Sequence, residues 1–151
     1  MGLIEKDYDW VEQFNTDYKG YMEKQYRESS YSYNMARLAY ARKNYDLVLS
    51  LLQKTNYKDI LLNLAIKTIA LKTYYELEEI SLLESHMDAM KNYIHRKKDI
   101  GYHRELYLNL IHFTRQLLER GAKGRMAKKE LLEEIKQSKG VAEKEWLLEQ
   151  L

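Results

Sequence analysis

The sequence predicts an all-α chain, and three observations carry that reading. The 151 residues include no proline and only six glycines, so the residues that interrupt helices are nearly absent. Apolar side chains recur three and four positions apart along most of the chain, the spacing that gathers them on one helical face. No segment alternates apolar and polar residues over the length of a strand. About seven or eight antiparallel helices fit this length when the connections are short.

Each element has its own signal. Trp10, Phe14, Tyr18 and Tyr21 space a first helix over roughly 8–20. Met35, Leu38 and Ala39 mark a second over roughly 24–43, and Leu47, Leu51 and Leu52 a third over roughly 45–54. Asp59 is a candidate N-cap for a fourth, which runs through Ile66, Ile69 and Leu71 to about Leu77. A fifth, over roughly 79–96, carries Leu83, Met87, Met90 and Ile94. Its end, HRKKD, sets cations at the negative pole of the helix dipole. A sixth follows Gly101, with Leu106, Leu110, Phe113 and Leu117 on its apolar face. Gly121 and Gly124 break the chain, and two shorter helices close it around Leu131, Leu132 and Ile135 and around Trp146 and Leu147.

The stretch LAYARKNYDLVLSLLQK (38–54) turns back on itself at Lys43-Asn44 with neither proline nor glycine. Tyr45 is expected to act as an apolar plug buried between the two helices, with Asn44 or Asp46 as cap. A shift of 35 positions gives a partial echo: Arg37 falls on Lys72, Tyr40 on Tyr75, Tyr45 on Ile80, Val48 on Leu83 and Leu52 on Met87. Two helices repeated at about this period are the signature of a helical-repeat array, whose hairpins bury their apolar faces against one another.

AYARKNYDLVLSLLQ resembles a tetratricopeptide repeat, with Ala36 where that family has a small residue, Tyr45 after the turn, and Val48 and Leu52 on the second helix. The family's other small positions hold Val48, Thr55, Leu71, Leu83 and Met90, and its closing proline is absent, so helices should sit further apart than in a regular array. YNMARLAYARKNYD, LKTYYELEE, HRELYLNLIHF and KEWLLEQ also resemble the C-terminal part of helical-repeat proteins of Bacteroidetes bacteria. These resemblances imply a right-handed α-solenoid forming a single domain over 1–151, and no activity. They also imply a piece of a longer protein, in line with WLLEQL stopping in mid-pattern.

Composition narrows the function. Hydrophobic residues make up 45% and charged residues 32%, with a formal net charge of +2, too small to imply a nucleic-acid partner by itself. The absence of cysteine removes disulfides, thiol catalysis and thiolate metal sites, and fits a reducing compartment; a cytoplasmic location is expected. The opening MGLIEKDYDW has no apolar core of a secretory signal, and DILLNLAIKTIALK (59–72) is too short and too interrupted to span a bilayer.

Catalysis is not expected. His86 and His95, and His103 and His112, are nine apart, which is 2.5 helical turns and puts each pair on opposite faces. HExxH is absent, so neither a metal nor another cofactor is expected. GAKGRMAKK (121–129) lacks the spacing and the preceding strand of a phosphate loop. Glu78-Glu79 and Glu133-Glu134 read as solvated pairs.

Tyrosine dominates the aromatic residues, with 14 Tyr against two Phe and two Trp. Its apolar ring and polar tip suit half-buried positions between helices, and also a peptide groove. A cation followed three residues later by tyrosine occurs as Arg37/Tyr40, Lys72/Tyr75 and Arg104/Tyr107, each in the first helix of a successive hairpin. In a tetratricopeptide-like array those helices line the concave side, which makes the six residues a candidate site for an acidic or carboxylate-ending peptide. The expected role is a non-catalytic protein-interaction or scaffold module. The competing reading is nucleic-acid binding through the basic clusters 95–98 and 120–129, with Tyr93 and Tyr102 nearby.

Overall fold

A computed structural model describes residues 24–53 and 59–151 of the chain; the helix expected over 8–20 lies outside them. Among the described residues there are seven α-helices, one short 3-10 turn and no strand. The helices are α1 (Lys24–Ala41), α2 (Tyr45–Gln53), α3 (Ile60–Glu76), α4 (Ile80–Arg96), α5 (His103–Arg120), α6 (Arg125–Gln137) and α7 (Lys144–Glu149). The all-α reading holds, and each helix start predicted within the described residues agrees to within a turn. Two compact units divide the chain within α4, one ending at His86 and the other beginning at Met87.

In the first unit α1 packs on α2 and on α3, and α2 packs on α3. Ala39, Val48 and Ile69 form a buried cluster, one from each helix, with Tyr33, Tyr40 and Leu52 packed against it. Ala36 is fully buried, which accounts for the small side chain there. The apolar run in α3 is explained by its central place. Thr68, Ile69, Ala70 and Leu71 are consecutive and all buried, so the helix is covered on every side. The buried hydroxyls of Thr68 and Thr73 donate to the carbonyls of Leu64 and Ile69 one turn back, at 2.7 and 2.8 Å. Asp59 caps α3 as expected, accepting from the Leu62 amide at 3.0 Å.

The turn at Lys43-Asn44 is closed by hydrogen bonds and a left-handed residue. Lys43 has φ 59°, its amide donates to the Tyr40 carbonyl at 2.9 Å, and the Asn44 amide reaches the Ala39 carbonyl at 2.8 Å. That is a Schellman ending, usually built on glycine. The end of α3 repeats it 35 positions later: Glu78 has φ 59°, its amide donates to Tyr75 at 3.1 Å, and Glu79 donates to Tyr74 at 3.0 Å. Val48 and Leu83, also 35 apart, begin α2 and α4 with fully buried side chains. The echo in the sequence thus extends to the backbone of two successive turns. Tyr45 departs from expectation. It is only half-buried, and the buried plug behind the corner is Val48.

In the second unit α5 packs on α6 and α7, and α6 on α7. Leu110, Leu117, Leu131, Ile135, Trp146 and Leu147 are buried there. Gly124, at φ 103°, supplies the backbone conformation that starts α6. The loop after α6 is pinned to α5 by Asn109, whose amide donates to the Gly140 carbonyl at 2.6 Å, and by the Ala142 amide donating to Leu106 at 3.0 Å. Lys144 Nζ donates to the carbonyls of Lys136 and Ser138, both at 2.9 Å, and so neutralises the C-terminal end of α6.

Candidate functional site

Four side chains from three helices of the first unit form one polar and aromatic cluster. Tyr40 stands near the end of α1, Tyr45 begins α2, and Lys72 and Glu76 lie one turn apart on α3. The Schellman turn at Lys43 brings the rings of Tyr40 and Tyr45 to 6.0 Å, tilted by 54°. Tyr45 donates its hydroxyl to Glu76 Oε1 at 2.9 Å, and Tyr40 donates to Glu76 Oε2. Lys72 Nζ lies 4.7 Å from the Tyr40 ring centroid, within the range in which a cation is attracted to the ring face. Burial, the hydrogen bond to Glu76 and the charge of Glu76 push the Tyr45 phenol up to about 12.

The six residues expected to form a cation–tyrosine ladder are distributed as follows. Arg37, exposed, lies over the ring of Tyr33, 5.7 Å from its centroid. The direction has a simple cause: side chains on a helix lean toward its N-terminus, so a cation reaches the ring four residues before it. Lys97 does the same over Tyr93, at 5.3 Å. Lys72 meets Tyr40 of the neighbouring helix, so the structure brings together members of two pairs. Tyr75 is half-buried, and burial followed by the nearby charge of Glu78 raises its phenol above the ordinary value. Arg104 and Tyr107 belong to the second unit and are half-buried. Arg104 Nη2 donates to the Lys97 carbonyl at 2.8 Å, which ties the start of α5 to the chain just after α4.

Glu76 is the residue that sequence reasoning missed. Its spacing of four from Lys72 was visible, but its two phenol partners lie 31 and 36 residues away.

His86 Nε2 donates to the Lys67 carbonyl at 2.7 Å, and its ring meets Tyr74 edge-on at 5.6 Å. Burial lowers its pKa; the Lys67 carbonyl works against that shift, and the Lys67 charge adds to it. Among the described residues no three His, Asp or Glu side chains are grouped to hold a metal ion.

The basic clusters differ in how their charges are used. Arg120 is occupied by α6, with Nη1 2.8 Å from Glu134 and Nη2 3.8 Å from Glu130, and its pKa is raised, first by the Glu134 hydrogen bond. His95, Arg96 and Lys98 are exposed, and Tyr102 is 76% exposed with its ring 4.1 Å from that of His103. No described helix is long and apolar enough to cross a membrane. No protein-family model matches this sequence, and comparisons with curated proteins and with solved structures gave no match.

Proposed function

We propose that this chain is a non-catalytic, tetratricopeptide-like helical-repeat module that binds an acidic protein segment. One observation carries the reading: α1 and α3 end in matching Schellman turns and lie side by side, with Lys72 of α3 over the Tyr40 ring of α1. Arg37, Lys72, Tyr40 and Tyr75 are the first-unit residues of the proposed binding face. Arg104 and Tyr107 offer the same pairing of cation and ring on the second unit by itself, where Arg104 keeps donors beyond the one given to Lys97. Ring faces supply contact area, and the cations orient carboxylates.

The test is affinity capture of the full-length protein from its own cells, followed by binding of the captured partner's acidic segments. Arg37→Ala with Lys72→Ala should weaken binding by about tenfold, since exposed ion pairs contribute only about 0–1 kcal/mol each. The melting temperature should change little. A large loss of stability with unchanged binding makes these residues structural props and ends the reading.

A second reading has its own observation. Tyr102, exposed and backed by the His103 ring, has the form of a stacking platform for a single-stranded base, and Arg96 and Lys98, a few residues earlier in the chain, are exposed. Binding of a single-stranded oligonucleotide that falls steeply with salt and is lost in Tyr102→Ala would favour it.

A further inference from the structure

Two exposed patches, one on each unit, match in chemistry and oppose in charge. On the second unit a cavity of about 670 Å³ opens where α5 turns into α6. Arg125, Lys128 and Lys129 line it together with Ala122, Leu132 and Leu151, and no Asp or Glu side chain does. All three cations are exposed, and none forms an ion pair among the described residues. Met126, 69% exposed, adds apolar surface in the same turn of α6.

On the first unit the corner between α3 and α4, LEEISLLE (77–84), contains no cation. Leu77, Ile80 and Leu82 are 38%, 42% and 51% exposed. Glu78 and Glu79 stand between the first two and Glu84 follows the third, all exposed and without an ion pair among the described residues. Apolar side chains this exposed, rimmed by charge of one sign, are the composition of a docking surface.

We propose that a second copy of this chain docks its 77–84 corner into the basic cavity at the α5–α6 turn. The contact is head to tail: different surfaces meet, so each copy keeps one of each free for a further partner, and assembly proceeds to a ring or an open filament. Leu77, Ile80 and Leu82 bury apolar area against Ala122, Met126 and Leu132. The carboxylates face Arg125, Lys128 and Lys129, which sets the orientation and speeds encounter. An acidic segment of another protein and a nucleic-acid strand are the alternative occupants. The cavity offers no aromatic ring on which a base could stack.

Sedimentation velocity of the full chain over rising concentration, at low and at high salt, tests this. The wild-type chain should associate with concentration, and salt should weaken the association. Lys128→Glu with Lys129→Glu reverses the cavity, and Glu78→Lys with Glu84→Lys reverses the corner. Each pair should weaken association by about tenfold or more. Both should keep the wild-type melting temperature, since Lys43 already holds the left-handed position equivalent to Glu78. Mixing the two variants should restore association, because acidic surfaces then meet basic ones at every contact. A wild-type chain that stays monomeric, association indifferent to both reversals, or a mixture that fails to associate would each overturn the proposal. In the first case, an acidic peptide or a single-stranded oligonucleotide bound by the wild type and lost in the Lys128→Glu, Lys129→Glu variant would assign the cavity to that occupant.

Discussion

Glu76 accepts hydroxyl hydrogens from both Tyr40 and Tyr45, so a single carboxylate joins α1 and α2 to α3. Tyr45→Phe removes one of these bonds and keeps the ring; thermal melting should register a loss of about 1 kcal/mol. Tyr45→Ala also removes the ring, and because the residue is half-buried the loss should be about 1–3 kcal/mol, below that of a fully buried aromatic. Tyr45 also predicts an alkaline limit. Its folded pKa of about 12 exceeds the ordinary 10.0, so its contribution is full below pH 10 and lost as pH rises through about 12. Ultraviolet titration of the folded protein should find Tyr45 among the last phenols to ionise, and Tyr45→Phe should remove that late component. His86 acts in the opposite range. Its folded pKa lies below the ordinary 6.5, so the stability it supports is present above pH 6.5 and lost as pH falls through the folded value. Melting temperatures taken between pH 7.5 and 5 should fall for the wild type and fall less for His86→Gln.

At the scale of elements, two helices end on a left-handed residue that is not glycine. Lys43 and Glu78 each carry the steric cost of that conformation, about 1–2 kcal/mol, because the two Schellman hydrogen bonds hold the corner. Lys43→Gly and Glu78→Gly relieve that cost at the expense of chain entropy. Each should raise stability by up to about 1 kcal/mol in chemical denaturation; a loss would show that the side chain at that position contributes more than its backbone costs. Ala36 sets how closely the first hairpin packs. It is fully buried, so Ala36→Leu should overpack the unit and cost about 1–3 kcal/mol.

For the whole molecule, circular dichroism should give a helical spectrum without a sheet component. Helix positions were legible because their signals are local. Asp59 could be read as a cap and Gly124 as a break from a few neighbouring residues, and the shift of 35 that aligned Tyr40 with Tyr75 also aligned the turns that follow them. Spacing within a helix says which residues share a face. It does not say which residue of another helix stands opposite, and there sequence reasoning reached its end. It made Tyr45 a buried plug, whereas packing turned the Tyr45 hydroxyl to Glu76 and left Val48 as the plug; that Lys72 of α3 lies over the Tyr40 ring of α1 was likewise out of its reach. It treated 120–129 as one basic cluster, whereas Arg120 is held by Glu130 and Glu134, and Arg125, Lys128 and Lys129 line an open cavity. The sequence by itself therefore determined the all-α class, the helix boundaries and the recurrence of the hairpin turn, because short-range hydrogen bonding and apolar periodicity decide them. Only the tertiary structure decided which charges are spent inside the fold and which remain on its surface, because that depends on contacts between residues distant along the chain.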